Sequence, residues 1–157
     1  MGDERLSLPA DGRQSETALM IGRGVRRLLR ARGFSSVTEL PLVDGRRADI
    51  VAVNSDGEVL IVEIKSSPAD VRADRKWRDY AACCDRLYFA ISGATSVAIM
   101  PPEAGLILAD PYGAEILREA DLKRMASSSR RALLLRFAQA AADRLHRLAD
   151  PGGTAES

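Results

Sequence analysis

The sequence predicts a mixed α/β fold in a single domain, and three observations carry that expectation. An amphipathic helical stretch spans about 15–32, three extended runs follow it, and a capped helix then leads into a further apolar strand. The chain of 157 residues is long enough to bury a core of ordinary size. Its 46% apolar and 29% charged composition excludes global disorder.

Each element follows from local chemistry. Residues 1–14 are polar with Gly2, Pro9 and Gly12, and residues 150–157 open with Asp150-Pro151-Gly152-Gly153; both are expected to be flexible tails around a domain at 15–149. From Ser15 to Arg32 the apolar Ala18, Ile21, Val25, Leu28 and Leu29 keep a helical period, and Gly33 is a natural stop. Arg23, Arg26, Arg27 and Arg30 fall on the opposite face. Ser36–Leu42 alternates weakly and ends at Pro41, so it suits an edge or first strand. Arg47–Val53 and Val59–Lys65, separated by Asn54-Ser55-Asp56-Gly57, read as a β-hairpin.

Ser67-Pro68-Ala69-Asp70 supplies a serine N-cap, a proline at the first helical position and a carboxylate at the third. That helix is expected to reach about Cys84, with Ala73, Trp77, Tyr80, Ala81 and Cys84 inward and Asp74 and Asp79 exposed. Arg86–Ile91 is another strand, and Gly105–Asp110 with Ala114–Arg118 form a second hairpin across Pro111-Tyr112-Gly113. The last helix, about Ser128 to Leu148, is expected to turn Leu134, Phe137, Ala138, Ala141, Leu145 and Leu148 inward. The order is α-β-β-β-α-β, followed by β-β-α.

Composition also removes function classes. No apolar run approaches the roughly 18 residues that span a bilayer, and no signal-like stretch follows Met1-Gly2-Asp3-Glu4-Arg5. Cys83 and Cys84 are adjacent, which suits neither a disulfide framework nor metal-ligand spacing, so a reducing, cytoplasmic setting is expected. A single histidine, His146, argues against zinc and triad chemistry. The net charge of +1 hides an uneven distribution. Six arginines against Glu16 lie in 13–32, and six against Asp143 lie in 124–147, so the middle of the chain is acidic. Basic flanks invite a polyanion, and an acidic centre invites a cation.

The chemistry concentrates in the first hairpin. Val59-Leu60-Ile61-Val62 is a continuous apolar run, hence a strand covered on both faces, yet Glu63 and Lys65 follow in it on one face. Buried charges need partners or a metal. A three-residue loop at Ser55-Asp56-Gly57 sets Asn54 against Glu58 and therefore Asp49 against Glu63, with their Cβ atoms about 5 Å apart. Two adjacent carboxylates repel unless a cation lies between them, and Mg²⁺ takes such a pair together with water and phosphate oxygens. Lys65 could orient a water and steady a phosphorane-like transition state. The bare Glu-x-Lys triplet is weakly specific; its place in a buried strand, beside Asp49, is more so. The competing reading is a structural ion pair of Glu63 with Lys65 or an arginine.

Asp49 followed by Glu63-Ile64-Lys65 in this frame resembles the PD-(D/E)XK nuclease superfamily. Thr38-Glu39-Leu40-Pro41-Leu42, Gly45-Arg46-Arg47-Ala48-Asp49, Ile61 to Ser66, Asp74-Arg75-Lys76-Trp77, Asp79-Tyr80 and Gly105 to Asp110 are similar to the MmcB-type bacterial DNA-repair proteins over about 16–148. The resemblance implies a restriction-endonuclease-like core with a C-terminal hairpin and helix, acting at the nucleoid. It also implies a Mg²⁺ (or Mn²⁺) site with Asp49, Glu63 and the Ile64 carbonyl as ligands and Lys65 beside the attacking water. Two departures stand out: Ala48 replaces the superfamily's proline, and Lys76 replaces the glutamine of a Q-x-x-x-Y helix, one turn from Tyr80. Glu16 and Glu39 compete as an extra acidic ligand.

These readings lead to a metal-dependent DNA-repair nuclease, with Arg23, Arg26, Arg27, Arg30, Lys76 and Tyr80 on DNA. A non-catalytic DNA-binding or adaptor protein working with other repair proteins is the main alternative, and an RNA-directed nuclease a weaker one. Trp77 and Tyr80 are also readable as core, the cysteines as packing residues, and His146 as a solvent-facing side chain.

Overall fold

The computed structural model describes residues 15–152; the tail expected at 1–14, and residues 153–157 of the second, lie outside the described residues. Ser15 caps α1 (Glu16–Ala31), its Oγ accepting the Ala18 N–H at 3.1 Å. Gly33, at φ +85°, ends that helix in the left-handed conformation that glycine adopts without strain. The strands β1 (Ser35–Pro41), β2 (Arg47–Val53) and β3 (Val59–Ile64) form an antiparallel meander. β4 (Arg86–Ile91) and β5 (Gly105–Ala109) continue it in parallel, and β6 (Ala114–Arg118) closes the sheet antiparallel in the order β1-β2-β3-β4-β5-β6. β1 is therefore an edge strand, as its proline suggests.

Helices cover both faces. Ile21, Val25 and Leu29 of α1 are at most 1% exposed against Ile50, Leu60, Val62 and Tyr88, each contributing about 1.5–3 kcal/mol relative to exposure. Gly24 makes this approach possible, since a Cβ there would lie 2.0 Å from the Asp110 carbonyl oxygen. On the other face Val51, Ile61, Leu87 and Phe89 pack with Trp77 and with Leu133 of α4 (Ser127–Ala149). Every residue of β3 is buried, as a strand covered on both sides must be.

Asp85 ties α4 to the sheet. Its buried carboxylate accepts the backbone N–H of Val59 and Met125 at 2.8 and 2.9 Å and both Nη atoms of Arg130 at 2.5 and 2.7 Å. Although burial alone would raise its pKa, the Arg130 and backbone N–H hydrogen bonds hold it down at about 2.

Two helical expectations need correction. The helix predicted from Ser67 to Cys84 is broken into α2 (Pro68–Ala73) and α3 (Arg78–Ala81), with Ala73 exposed. Asp74 takes an extended backbone, and its Oδ1 accepts the Lys76 N–H at 3.1 Å, the local competition by which aspartate interrupts helices. On α4 the inward residues are Leu133, Leu134, Phe137, Ala140 and Ala141, whereas Ala138, Leu145 and Leu148 are exposed.

Candidate functional site

The hairpin register decides the site. Ile50 pairs with Val62 and Val51 with Ile61, which extends to Asp49 opposite Glu63 as the turn predicts. There the backbone ladder gives way to side chains. The Asp49 N–H donates to Glu63 Oε1 at 3.3 Å, and the Ile64 N–H donates to Asp49 Oδ2 at 2.8 Å. The N–H and C=O of a strand residue leave on the same side, so the Ile64 carbonyl is directed toward β2 as well.

The two carboxyl groups lie close enough to perturb each other, and both are pushed above the ordinary carboxylate range. Burial, then the neighbouring Asp49, push Glu63 up to about 10. Burial also raises Asp49, against the hydrogen bonds from Glu63 and Ile64 and the charge of Lys65. A close pair of carboxyls that resists carrying two charges is a place where a hard divalent cation fits: two carboxylates and a carbonyl are oxygen donors of the right kind. Among the described residues, no three acidic, histidine or cysteine side chains gather closely enough to hold a metal ion. The two acids alone would have to suffice, with water and substrate oxygens.

Lys65 does not pair with Glu63. Its Nζ lies 2.5 Å from Asp74 Oδ2, and it sits 5.7 Å from the centroid of the Phe89 ring. Asp74, expected on an exposed helix face, is instead its half-buried counter-charge. The break between α2 and α3 puts it there, and the signal available in the sequence was an aspartate inside a helix that its side chain could interrupt.

Tyr80 borders the pair. Its hydroxyl donates to the Arg47 carbonyl at 3.3 Å, Arg46 lies 5.6 Å from its ring centroid, and Arg46 also pairs with Asp79. Burial and then the charges of Glu63 and Asp49 raise its pKa to about 12, so it remains a neutral donor. Lys76 is exposed and lies outside any helix, so it is not one helical turn from Tyr80 as predicted. Trp77 is core, edge-on to Phe89 at 5.4 Å between centroids.

The remaining candidates separate by face. Glu39, in left-handed backbone at φ 51°, is raised by burial and then by Asp49, which places it in the field of the pair. Glu16 is exposed in the first turn of α1, which covers the opposite face of the sheet. Arg23, Arg26, Arg27 and Arg30 line a groove of about 690 Å³ with Ser36 and Thr38 of β1, reaching Ile64. Arg26 donates to Ser36 Oγ at 3.0 Å and Arg27 to the Tyr112 carbonyl at 3.2 Å. Arg23 and Arg30 make no side-chain hydrogen bond or salt bridge among the described residues.

The family described as DNA repair protein MmcB-like matches residues 7–152. The chain belongs to that family. A solved structure from Silicibacter pomeroyi, the SPO1766 protein of unknown function, is 40% identical with a TM-score of 0.87, covering 92% of this chain and 99% of its own. Pyrococcus furiosus SfsA in complex with Ca²⁺ is 16% identical with a TM-score of 0.33 over 63% of this chain and 59% of its own, too distant to bear on fold or site. No curated protein matches the chain significantly. Among the described residues of this MmcB-like chain, no helix is long and apolar enough to cross a membrane.

Proposed function

We propose that this MmcB-like chain is a Mg²⁺- or Mn²⁺-dependent deoxyribonuclease of the PD-(D/E)XK type, hydrolysing phosphodiester bonds of DNA in repair at the nucleoid. The observation that carries the reading is the juxtaposition of Asp49 and Glu63 across the hairpin beside a buried lysine. Asp49, Glu63 and the Ile64 carbonyl would hold the ion. A bound divalent cation supplies Lewis-acid polarisation and charge neutralisation at a phosphate.

The other roles belong to the chain itself. Lys65 spends one N–H on Asp74 and keeps the others to orient a water and to meet charge developing on a phosphate. Tyr80, committed to the Arg47 carbonyl, shields one side of the pair from solvent. Arg23, Arg26, Arg27 and Arg30 offer guanidinium forks to the DNA backbone.

A panel of labelled DNA structures incubated with Mg²⁺ or Mn²⁺ tests the reading. Wild-type protein cuts at least one of them, and Asp49→Ala and Lys65→Ala do not; equal cutting by both variants would assign the activity to a contaminant. One observation favours a second reading, a non-catalytic DNA-binding or adaptor protein for other repair proteins: Glu63 and Lys65 are only 5% and 9% exposed. That reading expects salt-dependent binding that persists in Asp49→Ala, and no cleavage with any metal.

A further inference from the structure

A cleft between β1 and α4 has no part in the carboxylate pair or in the α1 groove. It encloses about 400 Å³ and is lined by Glu39, Arg47, Arg136, Asp143, Arg144 and Arg147. Four guanidinium groups against two carboxylates leave it positive. Two of the four are engaged: Arg144 donates to the Thr38 and Glu39 carbonyls, and Arg47 Nε lies 3.6 Å from Glu39 Oε2. Arg136 and Arg147 are three turns apart on one side of α4 and make no side-chain hydrogen bond or salt bridge among the described residues.

Position gives this charge a meaning. Arg47 precedes Asp49 by two residues on β2, which brings both to one face roughly 7 Å apart. The cleft thus begins where the carboxylate pair ends. α1 and α4, basic segments from opposite ends of the sequence, both pack against the edge strand β1.

The geometry points to this cleft, with Arg47, Arg136 and Arg147 as donors, as the binding site for the DNA backbone phosphates that neighbour the one a cation at Asp49 and Glu63 would engage. The assignment rests on the nuclease reading for the position of that first phosphate; the affinity of the cleft for DNA does not depend on cleavage. Guanidinium forks take phosphate oxygens by paired N–H···O bonds, and the cleft has the size of a small-ligand site.

The test is fluorescence anisotropy of a labelled oligonucleotide with the full chain in EDTA, across a salt series. The double variant Arg136→Ala/Arg147→Ala weakens binding about tenfold or more and lowers the slope of log affinity against log salt by about 1 to 2. Gln139→Glu, which places a negative charge in the same cleft, also weakens binding without removing an arginine. Arg131→Ala, exposed on α4 outside the cleft, leaves affinity and slope unchanged. A double variant that binds with wild-type affinity and slope overturns the proposal, as does a wild type that does not bind DNA. Cleavage in Mg²⁺ is read separately: if wild type never cuts while the double variant loses binding, the cleft stands and the nuclease reading falls.

Discussion

Lys65 Nζ and Asp74 Oδ2 lie 2.5 Å apart with side chains only 11% and 18% exposed. The pair fixes the ammonium group beside Asp49 and Glu63 and holds the interrupted segment between α2 and α3 against the sheet. Asp74 is thus a positioning residue for Lys65.

Asp74→Asn leaves a buried ammonium without its counter-charge and is expected to cost about 2–3 kcal/mol in urea unfolding. Under the nuclease reading it also slows cleavage about 10–100-fold and alters the pH profile, and Asp74→Glu recovers much of both. A variant with wild-type stability and pH profile would remove Asp74 from this role.

Glu63 is raised from 4.5 to about 10, so the folded chain keeps a proton that the unfolded chain releases between those values. Metal-free protein is therefore expected to lose stability as pH rises from about 5 to 10. Divalent cations compete with that proton and raise the melting temperature more at high pH than at low; at a hundredfold excess over Kd the gain is about 2.7 kcal/mol. Glu63→Gln flattens the pH dependence and removes the metal response. Melting indifferent to Mg²⁺ and Mn²⁺ throughout would rule out a cation at the pair.

Asp85 stands at about 2, below its ordinary 3.8, so its stabilisation is present above about 4 and is lost as pH falls toward 2. Asp85→Ala leaves the Val59 and Met125 N–H groups without their acceptor and Arg130 with the Gly57 carbonyl alone. The expected cost is about 3–5 kcal/mol, read as a lower urea midpoint. A loss under 1 kcal/mol would mean that water replaces the carboxylate.

Gly24→Ala drives a methyl group into the Asp110 and Gly113 carbonyls of the β5–β6 turn. The helix has to lift, at about 1–3 kcal/mol, and calorimetry should show a lower Tm. Gly33→Ala probes a different cause: nothing lies within 4 Å of a Cβ there, so only its left-handed backbone resists the change.

The sheet was legible because its signals are local. The turn at Asn54-Ser55-Asp56-Gly57 and the apolar run from Val59 set the register that brings Asp49 to Glu63. The break at Asp74 had only the aspartate itself as a signal, because Trp77, Tyr80, Ala81 and Cys84 continue a helical period across it while the aspartate bonds to Lys65 and to the Lys76 N–H. On α4 the apolar pattern is wide enough to suit more than one inward face. Packing chose the one holding Leu133 and Ala140 and left Leu145 and Leu148 in solvent.

By itself the sequence determined the strands, their order along the chain, and the meeting of two acids across a hairpin, since turn length and a period of two settle these over about fifteen residues. Only the tertiary structure decided which acid neutralises Lys65, and that arginines from both ends of the chain flank one edge strand. The reason is range: a long charged side chain has many possible partners along the chain, and the packing of distant elements selects among them.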